Sequence, residues 1–323
     1  MPLKTYRDAI KDALREEMTR DERVFILGEE VGVWGGTYAV TRGLMDEFGA
    51  ARVRDTPIAE AVIVGAAVGA AMGGLRPIAE LMTINFSLIA IDQIVNNAAK
   101  LHYMFGGQIN CPLVIRTPAG WGQLAATHSQ SFEAWYASLP GLIVAMPSTP
   151  SDAKGLLKSA IRSENPVMFI EHARLYGVQG EVADEEFTIP FGVSDVKRAG
   201  KDVTIISYSR MLHVSLAAAE KLAADGIECE VIDLRTLRPL DLNPVYESVR
   251  KTHRALIVEE DWVSCGMGAE IAARISKESF DDLDAPVERA GAVEVPMPYA
   301  KNLEALALPD EKNVIETVKQ MII

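Results

Sequence analysis

The chain has 323 residues, 49% hydrophobic and 24% charged, with a formal net charge of −13. That length suggests two domains or one large one, and the apolar share excludes a disordered chain. The acidic balance argues against nucleic acid or an anionic membrane surface as the main partner and favours a basic protein. At the N-terminus, MPLKTYRDAIKDALREEM carries acids throughout and lacks the apolar core of a signal peptide. Apolar runs then predict strands at Val24–Gly28, Pro77–Met82, Pro112–Thr117, Leu142–Met146 and Val167–Glu171. Helical patterns lie between them near 60–73, 88–104, 131–138 and 150–162. The uncharged run Ala61–Leu75 falls short of the roughly 18 residues of a membrane span.

From Gly177 to Gly200 the pattern fades into an acidic, turn-rich stretch that reads as a connection. A second alternating series follows, with strands at Val203–Ser207, Glu228–Leu234 and Ala255–Glu260, and helices near 211–224, 243–252 and 267–278. The expectation is an α/β fold of two parallel-sheet domains, residues 1–178 and 201–323, with 179–200 as linker. Cys111, Cys229 and Cys265 are too far apart for a CxxC pair, so no disulfide framework, zinc or iron–sulfur site is expected. A reducing, cytoplasmic setting fits.

One hexapeptide stands out. In DTPIAE, Asp55 to Glu60, Pro57 pushes Thr56 out of the helical region, so the chain arrives extended and enters a helix near Ala59. Glu60 then stands at the mouth of AVIVGAAVGAAMGGL, where Gly65, Gly69 and Gly73 share a bare face that another helix can approach. By itself Glu60 reads as an acid complementing a helix dipole, or as an acid–base group at a tight seam. His128 is the histidine of five that lies in a loop after a glycine-rich stretch. Such a residue is structural more often than catalytic. Phe86 would by default be a core aromatic, and Glu29 an exposed carboxylate at the end of a parallel strand, where α/β folds also place functional groups. No Walker A loop, HExxH or GxSxG occurs. Gly120-Trp121-Gly122-Gln123-Leu124-Ala125 fits GxGxxA, but no helix opens at once and no acid follows at the expected distance, so a dinucleotide site carries little weight.

GEEVGVWGGTYAVTRGL, DTPIAE, GLRPIAELMTINF, AIDQIVNNAAK, YMFGGQ, HSQSFEAW, PGLIVAMPSTPSDAKGLLKSAIR, VIDLRTLRPLD and VPMPYA occur in that order. Together, from Thr5 to Ile323, they resemble the β subunits of pyruvate dehydrogenase first components, thiamine-diphosphate enzymes of the 2-oxo acid dehydrogenase complexes. The resemblance implies an N-terminal pyrimidine-binding domain and a C-terminal domain of the transketolase-C type. It implies that Glu60 hydrogen-bonds a pyrimidine ring nitrogen of thiamine diphosphate, that Met82 and Phe86 line the aminopyrimidine pocket with Phe86 stacking, and that His128 faces the substrate side. Glu29 resembles an acid on a proton path between paired sites.

The GDG motif that holds Mg²⁺ and diphosphate is absent before Asn96-Asn97, so the resemblance implies an α subunit supplying that half in an α2β2 heterotetramer. It also implies potassium held mainly by carbonyls at Leu113, Ala160, Ile161, Ser163 and Asn165, with Ser163 where aspartate is frequent. Thr127 stands where Gln is common. Docking of a dihydrolipoyl acyltransferase core through its subunit-binding domain is implied at Asp284 and the Ile323 carboxylate. Acetoin and branched-chain 2-oxo acid dehydrogenase β subunits remain alternatives. A noncatalytic partner chain and a nicotinamide-binding dehydrogenase are further ones.

Overall fold

A computed structural model describes residues 1–120 and 124–322. The chain forms two compact units, one of Met1–Ala119 with Trp135–Phe191, the other of Gly120–Ala134 with Gly192–Ile323.

In the first unit, strands Ile143–Ala145, Val167–His172, Val114–Ala119, Arg76–Glu80, Val24–Gly28 and Val53–Asp55 lie side by side in that order, all parallel. The central strands are buried along their whole length, which is why they read as continuous apolar runs. Helix Tyr6–Arg20 begins where Thr5 accepts the Asp8 N–H, and it buries Tyr6, Ile10, Ala13, Leu14 and Met18 at helical spacing. It packs on helix Pro150–Arg162, capped by Thr149 and opened by a proline in its first turn. Lys158 donates to Glu16 at 2.8 Å and Arg162 pairs with the buried Glu17, so ion pairs edge the apolar seam.

Two expectations change. The helix expected over 88–104 is instead a 3₁₀ turn at Ile84–Leu88, a π-helical turn at Gln93–Ala98 and a short helix at Leu101–Met104. An apolar period alone does not distinguish these ladders, and π turns recur near functional sites. The stretch expected to be a plain connection carries Gln179–Glu181, antiparallel to Leu3–Thr5, and Asp195–Arg198, antiparallel to Cys229–Asp233.

In the second unit the strand order is Glu288–Ala292, Ala255–Trp262, Val203–Ser207, Cys229–Asp233 and Asp195–Arg198. Helices Arg210–Ala224 and Glu311–Ile322 bury Met211, Leu212, Leu222, Val314 and Val318 against this sheet. Among the described residues no helix is long and apolar enough to cross a membrane.

Candidate functional site

Parallel sheets place functional groups beyond the carboxyl ends of their strands. Asp55 pairs in register with Gly28, Gly28 with Glu80, and Glu80 with Arg116. This row is the last before three loops that carry expected site residues. Glu60 follows Asp55, Glu29 follows Gly28, and Met82 and Phe86 follow Glu80.

Glu60 is the first residue of helix Glu60–Met72, entered from Ala59 at φ −160°. It is only 4% exposed. Among the described residues no hydrogen bond or ion pair reaches its carboxylate. A carboxylate with no donor keeps its oxygen lone pairs available to a ligand. Glu29 stands close enough that the Glu60 charge, after burial, helps raise its pKa above the usual carboxylate range. Met82 and Phe86 are half-buried, Phe86 on the 3₁₀ turn. An unpaired acid, a second acid and an accessible aromatic fit the aminopyrimidine ring of thiamine diphosphate.

The glycine face behaves differently from a packed seam. A Cβ at Gly65 would sit 3.4 Å from the Gln93 Oε1, while one at Gly69 would meet nothing within 4 Å. Val62, at 64% exposure, and Met72 share this open side. Nearby, Tyr103 and Met104 are also exposed apolar side chains.

His128 belongs to the second unit, in the 3₁₀ turn Ala126–His128. It is exposed, and its Nδ1 lies 2.9 Å from the Thr127 Oγ1. Ala126, Thr127 and Gln130 line a 480 Å³ cavity with Trp262, Ser264, Glu294, Val295 and Pro296. Trp121, Gly122 and Gln123, from the glycine loop, and Ile323 lie outside the described residues.

The five carbonyls expected to hold potassium all accept donors from the chain. Leu113 accepts the Val167 N–H at 2.8 Å, Ala160 the Ser163 N–H at 3.2 Å, and Asn165 the Ser163 hydroxyl at 3.1 Å. Arg76 Nη1 donates to the Ile161 and Ser163 carbonyls, each at 3.0 Å. Each oxygen keeps a second lone pair, but a guanidinium already stands against two of them. Asp284 is exposed, with Arg254 Nη1 3.6 Å away.

Two buried charge clusters escaped the sequence reading. In the first unit Arg116 bridges Glu80 and Glu171, and the Tyr176 hydroxyl donates to Glu171 at 2.6 Å. In the second unit the Tyr208 hydroxyl lies 3.3 Å from Glu133 Oε1 and 3.2 Å from Glu259 Oε2, with Asp261 beside them. Gly268 donates its N–H to Glu259 at 2.8 Å, and a Cβ there would displace the Glu259 carboxylate. No lysine, arginine or histidine pairs with these three acids among the described residues. Burial pushes Glu259 up to about 7 and Asp261 up to about 6, and lifts Glu133 well above its usual range.

The fold agrees with comparisons to known proteins. Residues 3–179 match the transketolase pyrimidine-binding domain and residues 192–314 the transketolase C-terminal domain. A solved split-gene transketolase, described as an inactive β4 tetramer, aligns with a TM-score of 0.81 over 98% of this chain and 97% of its own at 24% identity, a likeness of fold. The pyruvate dehydrogenase E1 component β subunit of Rickettsia felis is 52% identical over 98% of each chain. The chain belongs to the pyruvate dehydrogenase E1 β-subunit family. The mitochondrial member from Drosophila melanogaster is likewise 52% identical, over 98% of this chain and 89% of its own. Family membership of this kind implies dependence on thiamine diphosphate, and both halves of the chain lie within the matched region.

Proposed function

We propose that this chain supplies the pyrimidine half of a thiamine diphosphate site in an α2β2 heterotetramer that oxidatively decarboxylates pyruvate and passes the acyl group to a lipoyl arm. The observation that carries the reading is Glu60, 4% exposed and without a partner among the described residues, at the strand-end row beside Glu29 and Phe86. When bound, thiamine diphosphate supplies a nucleophilic carbon that adds to the 2-oxo group and accepts the electrons of the broken carbon–carboxylate bond.

Glu60 shares a proton with the pyrimidine ring nitrogen, an acid–base role open to a carboxylate whose oxygens have no other partner among the described residues. Phe86 offers a ring face, Met82 a polarizable wall, and Glu29 a second acid that feels the Glu60 charge. His128 is assigned to the substrate side, where an exposed imidazole can give or take a proton. With no GDG motif in the chain, Mg²⁺ and the diphosphate are assigned to the α subunit. The open Val62–Gly69–Met72 face suits an α-chain helix. Potassium at the Leu113, Ala160, Ile161, Ser163 and Asn165 carbonyls is proposed as a weak site, opposed by the Arg76 charge.

The acyltransferase core is assigned to the surface around Asp284, which faces solvent with one long ion pair and complements a basic docking domain. A cytoplasmic setting fits the bacterial relatives. Glu60→Gln tests the central role. The amide keeps the size and loses the proton relationship, so turnover of pyruvate by the assembled complex should fall ~100-fold or more while assembly persists. Near-normal turnover would reduce Glu60 to a helix-end carboxylate.

A further inference from the structure

The strand-end row contains one residue whose side chain spans three neighbouring strands. Arg116, 2% exposed, reaches Glu80 on strand Arg76–Glu80 and Glu171 on strand Val167–His172, donating to the Glu171 Oε2 from Nη2 at 3.0 Å. Its main-chain carbonyl accepts the Leu81 N–H at 3.0 Å. Side chain and backbone therefore grip the same two residues, Glu80 and Leu81, immediately before Met82. Glu80 in turn touches the loop that follows Glu29. A Cβ on Gly36, whose φ is +77°, would stand 2.7 Å from the Glu80 Oε1, so the turn rests directly on that carboxylate. Tyr38, two residues on, lies with its ring 5.0 Å from that of Tyr176, the donor to Glu171. Asp55, at the other end of the row, accepts the Gly32 N–H at 2.6 Å and the Val33 N–H at 3.2 Å. The loop of Glu29 is thus held from Asp55 on one side and from Glu80 on the other.

We propose that Arg116 is a positioning residue for the cofactor half-site, acting through Glu80 to fix the spacing between the Glu29 loop and the Met82–Phe86 segment. The inference rests on the half-site reading above. A planar guanidinium suits this task because its fork fixes two carboxylates at set angles, whereas an ammonium offers a point charge. The cluster holds two carboxylates to one cation, so Glu80 can lose its charge and leave the Arg116–Glu171 pair whole.

The test uses Arg116→Lys, Glu80→Gln and Glu60→Gln in the complex assembled with the α subunit. The readouts are kcat, the cofactor KM, thermal midpoint and amide exchange of segments 30–41 and 81–88. Glu80→Gln should keep or raise the midpoint, quicken exchange in both segments together, and lower kcat at least ~10-fold, because displacements near 1 Å at a reacting site have effects of that order. Arg116→Lys should show the same kinetic pattern. If Arg116→Lys fails to assemble, Glu80→Gln decides alone. Wild-type kcat and cofactor KM in Glu80→Gln, with Glu60→Gln inactive, overturn the positioning role and leave the half-site intact. Full activity of Glu60→Gln overturns the half-site reading itself.

Discussion

Each unit buries a group of carboxylates, and the two groups are handled in opposite ways. In the first unit Arg116 sits between Glu80 and Glu171, its own charge held on by both, and its attraction opposes the upward push that burial exerts on Glu80. In the second, Glu133, Glu259 and Asp261 have Tyr208 and the main-chain N–H groups of Gly268 and Trp262 but no paired cation among the described residues. Burial therefore raises their pKa values, and the cluster holds protons near neutral pH. A cation built in beside a buried carboxylate opposes that push without cancelling it, since Glu80 too ends above the usual carboxylate range. The unit assigned the half-site has that cation in contact, whereas in the other, among the described residues, Arg289 acts on Glu259 without an ion pair.

The largest effect should come from removing it. Arg116→Met leaves two buried carboxylates without their partner and should destabilise the first unit by about 3–5 kcal/mol. Adding Glu80→Gln should restore part of this, since one orphaned charge disappears. Denaturant unfolding followed by amide exchange on strand Val114–Ala119 checks both, and a loss below about 1 kcal/mol for Arg116→Met would erase the contrast.

The second unit should respond to pH instead. An acid whose folded pKa is raised above its unfolded value contributes stability that is fully present below the unfolded pKa, near 4.5 for Glu259. That contribution is lost as pH rises through the folded pKa of about 7. Asp261 acts in the same direction, up to about 6. Glu259→Gln should leave stability at pH 4 nearly unchanged and raise it at pH 8 by roughly 1–3 kcal/mol. Equal effects at both pH values would show that Glu259 is not holding a proton.

Asp284→Lys should weaken docking of the basic subunit-binding domain by about 1–3 kcal/mol at low salt and leave decarboxylation with an artificial acceptor unchanged. Surface plasmon resonance reads the first, and equal affinities remove Asp284 from that interface. Smallest is potassium. With Arg76 already against two of the five carbonyls, exchanging potassium for choline at fixed ionic strength should change stability by about 0.4 kcal/mol or less, the value for a ligand near its dissociation constant. A larger change would show that the guanidinium does not compete.

Much of this was legible in the residues. Alternating apolar runs gave the parallel strands, and Pro57 placed a helix start near Ala59, which caps the helix Glu60–Met72. The DTPIAE motif singled out the acid that has no donor among the described residues. The clusters were hidden because their members are distant in sequence. Arg116 lies 36 residues from Glu80 and 55 from Glu171, and inside VIRTPA it reads as an interruption of a strand. Glu133 and Tyr208 are 75 residues apart. The grouping of Gly120–Ala134 with the second unit, which carries His128 there, has no local signal, because loop destinations follow from tertiary packing. The broken helix over 84–104 escaped because 3₁₀, π and α ladders share similar apolar spacing.

This chain is assigned half of a cofactor site, in which Glu60 has no donor among the described residues. Isothermal titration calorimetry of thiamine diphosphate with Mg²⁺ tests it most directly, first into the chain alone and then into the complex reconstituted with the α subunit. The account predicts no tight binding to the chain alone and tight, Mg²⁺-dependent binding to the complex. Tight Mg²⁺-dependent binding to the chain alone would contradict it.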